Sequence, residues 1–162
     1  MKKVVPFLVV LPMLLLLTGC PYNSKVPLSN TPKVAVDANL LGTWQTVNDK
    51  DSIDMKIFSF NSLEYYIDVR PTLKNSSEIS RYRTFVSMVG KEKIVNMEDL
   101  DKKGEYNFFS YKLEGDLLRV QLVSDVSVKE VYLTSKKMNK AFSKKIGEKD
   151  FYESEMKFVR KK

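Results

Sequence analysis

Residues 63–70 read Leu-Glu-Tyr-Tyr-Ile-Asp-Val-Arg, and this stretch decides the fold. Its odd positions are apolar or aromatic throughout, whereas its even positions are charged except at Tyr66. A period of two residues is typical of a β-strand with one buried face. Pro71 has no amide N–H to donate to a neighbouring strand, so the pattern predicts a strand that ends there.

Strands of the same kind are predicted on both sides of this stretch. Several are separated by short turns at Asn61-Ser62, Gly90-Lys91 and Gly115-Asp116, and glycine suits such turns because it readily adopts positive φ. The further predicted strands cover residues 42–47, 53–57, 79–89, 92–97, 105–113, 118–122, 128–133 and 156–160. Short strands joined largely by hairpins predict an antiparallel meander.

The periodicity changes at Ser135, where one amphipathic helix is predicted. Lysines fill one face, and Gly147 is suited to end the helix. The apolar face is formed by Met138, Ala141, Phe142 and Ile146. Two interpretations remain for this helix. It packs on the sheet with its lysines in water, which the narrow apolar stripe favours, or it presents a basic surface to a membrane.

The predicted fold class is therefore mostly β, an antiparallel meander that closes into a barrel of about eight or nine strands with one late amphipathic helix. Closure pairs the strand edges that an open sheet would leave exposed. A barrel of about eight strands has room for packed side chains or for one small ligand.

The start of the first predicted barrel strand, Gly42-Thr43-Trp44, matches a short motif of a known family. It is the Gly-x-Trp of lipocalins, and together with the late helix and final strand it makes residues 40–162 resemble a lipocalin-like, or calycin, domain. In lipocalins the tryptophan packs at the closed end of the barrel beneath a basic side chain from near the last strand. The resemblance implies the first role for Trp44 and makes Arg160 the candidate for the second.

The N-terminus has the layout of a secretory signal. Lys2 and Lys3 precede an apolar run that ends in Leu17-Thr18-Gly19-Cys20, and this tetrapeptide resembles the lipobox of bacterial lipoproteins. The resemblance implies removal of residues 1–19 and attachment of diacylglycerol to Cys20, the only cysteine. An uncleaved transmembrane helix and a cleaved signal without lipid are the alternatives, but the first is short and contains two prolines.

The residue after the cysteine bears on the destination of such a lipoprotein. Gram-negative lipoproteins with aspartate there are usually retained in the inner membrane, and this chain has Pro21 instead. The resemblance thus implies a lipid anchor in the cell outer membrane, with the domain facing the periplasm. Residues 20–39 are rich in Pro, Ser and Asn, which predicts a flexible tether between the lipidated cysteine and the domain.

Composition excludes several kinds of chemistry. The chain has no histidine, which rules out a Ser-His-Asp triad, a Cys-His pair and most zinc sites. Ser154-Glu155-Met156-Lys157 matches the Ser-x-x-Lys of penicillin-binding enzymes, but it enters a predicted strand and lacks the partner motifs. We therefore expect no catalysis, no cofactor and no metal. The net charge is +7, yet export makes nucleic acid an improbable partner, and the expected partner is the membrane that holds Cys20.

Two functions remain open for the barrel. A small apolar ligand could occupy the interior, lined by the aromatic residues Tyr65, Phe85, Phe109 and Tyr111. The same four residues would equally form a filled core, and the protein would then be an envelope accessory that docks a protein partner through its surface. A continuous apolar cavity of about 300 Å³ or more would favour the ligand.

Overall fold

Nine strands and one α-helix form the regular structure of the residues that the computed structural model describes, which are 21–47, 52–72, 79–153 and 155–161. The predicted signal segment, Cys20 and Ser154 lie outside these ranges. Among the described residues, no helix combines the length and the apolar character that are needed to cross a bilayer.

The strands are distributed along the whole described chain, and a 3-10 turn, Ala38–Leu40, precedes the second of them. The strands are β1 (Asn23–Ser24), β2 (Gly42–Thr46), β3 (Ile53–Ser59), β4 (Glu64–Pro71), β5 (Ser80–Val89), β6 (Glu92–Asp99), β7 (Tyr106–Glu114), β8 (Leu117–Leu122) and β9 (Met156–Arg160). The helix α1 covers Ser135–Lys145 and lies between β8 and β9.

Strands β2 to β9 form a closed antiparallel barrel. Each of β2 to β8 pairs with the next strand in the chain, and β9 pairs with both β8 and β2. Strand β1 pairs with the start of β7, where Asn23 lies opposite Asn107. The pairing of β7 with β8 begins two residues later, at Phe109. The predicted fold class is confirmed: a meander closed into an eight-stranded barrel, with one extra strand and one late helix.

The strand predicted at residues 128–133 is wrong. This segment has no regular structure, and it crosses the outside of the barrel with Val128 fully buried and Val131 exposed. The physical reason is that β9 occupies the free edge of β8, so no barrel edge is left for the segment to pair with.

The outside of the barrel carries its own apolar core, which we call the outer core. Outward-facing residues of β5, β6 and β7 meet residues of the N-terminal segment and of α1 there. Its buried members are Tyr22, Leu28, Val89, Ile94, Phe108, Val123, Val128, Met138, Phe142 and Phe151. The Phe142 ring meets the Phe108 ring edge to face at 5.4 Å between centroids. The apolar stripe of α1 therefore packs against the barrel wall, and four of its five lysines, Lys136, Lys137, Lys140 and Lys144, are exposed.

The N-terminal segment is packed where a flexible tether was expected. Leu28 is almost fully buried, and its amide donates to Asn96 Oδ1 at 2.7 Å. The Asn96 amide group in turn donates to Ser87 Oγ and to the Phe85 carbonyl, so Asn96 is satisfied although it is fully buried. On the other side, Asn139 of α1 donates to the Leu28 carbonyl at 3.3 Å. The segment is thus held between the barrel and the helix.

Candidate ligand cavity inside the barrel

The barrel interior contains a cavity of about 200 Å³. Its wall is built by the inward-facing residues of all eight barrel strands except β2, and Leu40 of the 3-10 turn contributes as well. The aromatic lining residues are Tyr65, Tyr82, Phe109, Tyr111 and Phe158. The others are Leu40, Ile53, Met55, Ile57, Ile67, Val69, Thr84, Val86, Val95, Met97, Leu118, Val120 and Met156. None of the described residues that line the wall carries a carboxylate or an amine.

The size of the cavity limits what it can hold. It is below the range of about 300 to 1,000 Å³ that is usual for sites of drug-sized ligands. It is larger than a dry apolar cavity of roughly 150 Å³ that accepts benzene. A single substituted ring or a short alkyl chain is therefore the size of molecule that fits.

Thr84 supplies the unusual polar group of this wall. Its side chain is only 1 % exposed. Its Oγ1 has no hydrogen-bond partner among the described residues. A buried hydroxyl without a partner is destabilising by about 1 to 3 kcal/mol.

Two tyrosine hydroxyls add to the polar character of the cavity. The amide of Asp37, at the start of the 3-10 turn, donates to Tyr65 Oη at 2.7 Å. Burial raises the pKa of Tyr65, and it raises the pKa of Tyr111 to about 12, with smaller contributions from Tyr65 and Asp37. Both phenols are therefore neutral at physiological pH and keep a proton that they can donate.

Three of the four aromatic residues predicted to line the interior do so. Tyr65, Phe109 and Tyr111 are on the cavity wall, but Phe85 is not. Thr84 and Val86, its neighbours in β5, both face the cavity, so the alternation of the strand turns Phe85 to the outside. The same alternation places Thr84 on the cavity side, although the aromatic pattern of the sequence did not predict it as a site residue.

One end of the barrel is closed around Trp44, which is fully buried. Its Nε1 donates to the Leu40 carbonyl at 2.9 Å and so fastens the 3-10 turn across the barrel. The guanidinium of Arg160 lies over the indole ring and donates from Nη1 to the Leu41 carbonyl at 2.8 Å. Gly42 leaves room for this guanidinium, since a Cβ at that position would lie 2.9 Å from Arg160 Nη1.

No protein-family model, no curated protein and no solved structure matches this chain. Within the part of the chain that the structure describes, no three acidic or cysteine side chains come together as a metal site would need. The cavity with Thr84 in its wall is consequently the feature from which a function can be argued.

Proposed function

We propose that this chain is a lipid-anchored protein of the bacterial cell envelope whose barrel binds a small, largely apolar molecule that carries one hydrogen-bonding group. The observation that carries the ligand proposal is the unpartnered Oγ1 of Thr84 in a cavity wall whose other residues are apolar or aromatic. A ligand group that pairs with this oxygen relieves a desolvation penalty of about 1 to 3 kcal/mol that the empty cavity leaves in place.

The cavity volume is below the value of about 300 Å³ that would by itself favour a ligand, so the preference for binding over a filled barrel rests on Thr84 and on the space that remains between the side chains. A filled barrel would need its inward-facing side chains to occupy the interior at the density of a protein core. Here a volume of about 200 Å³ is left between them. The chemistry of the wall supports binding and not catalysis, because Thr84 has no neighbouring base among the lining residues and the lining carries no charged group.

The anchor is supported by the N-terminal sequence. Leu17-Thr18-Gly19-Cys20 follows two lysines and an apolar run, as in a lipoprotein precursor. Two or three acyl chains on one residue would hold the protein at a membrane permanently, whereas a single chain binds only marginally. Pro21 in place of aspartate favours the outer membrane, with the barrel in the periplasm.

Binding can be tested with phenol and benzene, which differ by one hydroxyl and fit the cavity by size. We expect both to raise the melting temperature of the full-length protein, and phenol to bind more tightly because its hydroxyl pairs with Thr84. The Thr84→Val variant should lose the preference for phenol and keep the affinity for benzene. If neither compound binds the wild-type protein, the proposal fails.

A matched pair of variants tests whether the compounds bind inside the barrel or on its surface. Val95→Phe adds a ring to the cavity wall and should abolish binding of both compounds. Val159→Phe makes the same change on β9 at a position 42 % exposed to solvent and should leave binding unchanged. Equal loss in both variants would contradict binding in the barrel. Native mass spectrometry of protein released from its own membranes then looks for a co-purified small molecule.

The anchor has a separate test. Cys20→Ala should leave an unprocessed precursor that keeps residues 1–19, whereas intact mass spectrometry of the wild-type protein should show the acyl groups on Cys20. Normal cleavage and membrane attachment of Cys20→Ala would contradict lipidation without affecting the ligand proposal.

A further inference from the structure

The loop between β8 and α1, residues 123–134, exposes large aliphatic side chains to solvent. Val131 and Leu133 are each 83 % exposed, and Val126 is 45 % exposed. No other large hydrophobic side chain among the described residues is as exposed as Val131 and Leu133. An apolar patch of this kind on a soluble domain marks an interaction surface.

The loop is held in place although it has no regular structure. Val128 is fully buried in the outer core. The Tyr22 hydroxyl donates to the Glu130 carbonyl at 2.9 Å, and Lys145 of α1 donates to the Ser127 carbonyl. These contacts hold the loop backbone at Ser127, Val128 and Glu130, and Val126 and Val131 are exposed on either side of them.

The loop lies beside the point where the described chain begins. Pro21 forms an isolated β-bridge with Ser124, and it lines an open groove together with Val126 and Val131. Consecutive Cα atoms are about 3.8 Å apart, so Cys20 lies within that distance of Pro21. Any lipid on Cys20 therefore leaves the protein next to this loop.

The charge around the loop is complementary to an anionic lipid surface. Residues 123–145 contain six lysines and two acidic residues. Lys129, Lys136 and Lys137 are exposed, and none of the three forms an ion pair with another described residue. Unpaired lysines next to exposed aliphatic side chains are the combination that binds the interface of an anionic membrane.

We infer that the β8–α1 loop is a membrane-contact surface, with Val131 and Leu133 inserted among the lipid headgroups of an anionic bilayer and the neighbouring lysines on the headgroup charges. The inference rests on the proposed lipidation of Cys20, which brings this face to the bilayer. The apolar stripe of α1 does not contribute to this membrane contact, since Met138 and Phe142 are buried against the barrel.

The inference can be tested with a fluorophore whose emission depends on its environment. Cys20 is the only cysteine and is blocked when it carries lipid, so Val131→Cys can be labelled selectively in the full-length lipidated protein. The matched control is Phe60→Cys. Phe60 is 60 % exposed and follows β3, at the barrel end where β2 begins, whereas Pro21 lies at the other end.

Both labelled proteins are reconstituted into vesicles of phosphatidylcholine and phosphatidylglycerol, with and without a lipid that carries a quencher in its headgroup region. We expect blue-shifted emission and severalfold stronger quenching at position 131 than at position 60. Replacing phosphatidylglycerol by phosphatidylcholine, or Lys136 and Lys137 by glutamine, should reduce the quenching at position 131. High salt should do the same, because it screens exposed charges.

The outcomes separate this inference from the lipidation on which it rests. Intact mass reports whether Cys20 carries lipid, and emission reports whether the loop meets the bilayer. Water-like emission at position 131 in anchored protein overturns the contact surface and leaves the anchor standing. Equal quenching at positions 131 and 60 also overturns it. If Cys20 carries no lipid, Cys20→Ser is combined with Val131→Cys so that only position 131 is labelled, and the absence of a shift on addition of anionic vesicles then overturns the inference as well.

Discussion

The guanidinium carbon of Arg160 lies 4.2 Å from the centre of the Trp44 ring, so the last barrel strand covers the residue that closes the barrel end. Arg160 also donates to the carbonyls of Leu41 and Asn39 and to the carboxylate of Asp116. One side chain thereby joins the 3-10 turn, the first barrel strand and the β7–β8 turn.

Replacing this arginine by lysine should destabilise the protein although the charge is kept. Arg160→Lys loses the planar group that stacks on Trp44 and donates to two carbonyls at once. We expect the free energy of unfolding to fall by about 2 kcal/mol, as for hydrogen bonds to charged groups. Urea unfolding followed by the fluorescence of Trp44, the only tryptophan, measures it. Arg81→Lys, at an exposed position, is the control, and an equal loss there would refute the role of Arg160.

Alanine at position 42 should be poorly tolerated for two reasons. Gly42 has φ +126°, and a Cβ there would meet Arg160 Nη1 at 2.9 Å. We expect Gly42→Ala to lower the free energy of unfolding by about 3 kcal/mol and to red-shift the Trp44 emission. Gly115→Ala is the control, since its φ is +61° with no atom near the added Cβ. At position 115, backbone strain alone should lower the free energy of unfolding by about 1 to 2 kcal/mol. A Gly42→Ala loss no larger than that of Gly115→Ala would show that the space for Arg160 is unimportant.

The buried amide of Asn96 should control the attachment of the N-terminal segment. Asn96→Leu leaves the Leu28 amide without its acceptor, and we expect a loss of about 3 kcal/mol in the free energy of unfolding. Trypsin should then cleave faster after Lys33, which is exposed at the end of the attached segment. Val95→Ala destabilises the barrel interior without touching the segment. If Asn96→Leu accelerates cleavage no more than Val95→Ala at equal stability, the attachment does not depend on Asn96.

The unpartnered hydroxyl of Thr84 should make the ligand-free wild-type protein less stable than a variant without that hydroxyl. Thr84→Val keeps the shape of the side chain and removes the buried oxygen, so we expect the free energy of unfolding to rise by about 1 kcal/mol. Thr43→Val makes the same exchange in β2 at a partly exposed position, where little change is expected. A less stable Thr84→Val variant would mean that the hydroxyl already has a partner, and would remove the basis of the ligand proposal.

Glu153 should make stability fall as the pH rises. Burial, with a smaller contribution from Asp125, raises the pKa of Glu153 above its ordinary value of 4.5, and its Oε1 has no partner among the described residues. The folded state then holds this proton at pH values where the unfolded state has released it, so stability is lost as the pH rises from 4.5 through the folded pKa.

Replacement by a neutral side chain tests this. Glu153→Gln should be more stable than the wild type at neutral pH, and the difference should disappear below the ordinary pKa of glutamate, where both side chains are uncharged. Thermal unfolding between acid and neutral pH measures it. Glu148→Gln, at an exposed position, should show no such trend. A pH-independent gain in Glu153→Gln would indicate packing, not charge.

The barrel strands could be predicted because their cavity-facing residues recur with a period of two, although β5, β6 and β7 also bury part of their outward face. Residues 64–70 alternate between cavity and outside as the period of two requires, and the late helix was recognisable from Met138 and Phe142. The same period places Thr84 inside the barrel and Phe85 outside, so position in the strand predicts the cavity lining better than aromatic character does.

The outer layer could not be predicted in the same way. Pro27-Leu28-Ser29 has the composition of a tether, and its order depends on Asn96 and Ser87, far away in the sequence. Val128–Leu133 has the composition of a strand, but whether a strand forms depends on a free sheet edge, and β9 removes that edge. Both errors arise from long-range contacts that local composition does not encode.

If Cys20 carries the proposed lipid, the β-bridge between Pro21 and Ser124 sets how far the barrel can extend from the membrane. If residues 20–39 were a flexible linker, the barrel could move roughly 25 Å away from the lipid. With Pro21 already bound to the domain, a lipidated Cys20 leaves about 4 Å, the length of one peptide unit. A barrel held in this way would stay against the surface of the membrane that carries the lipid, whereas a flexible tether would let it reach partners farther away.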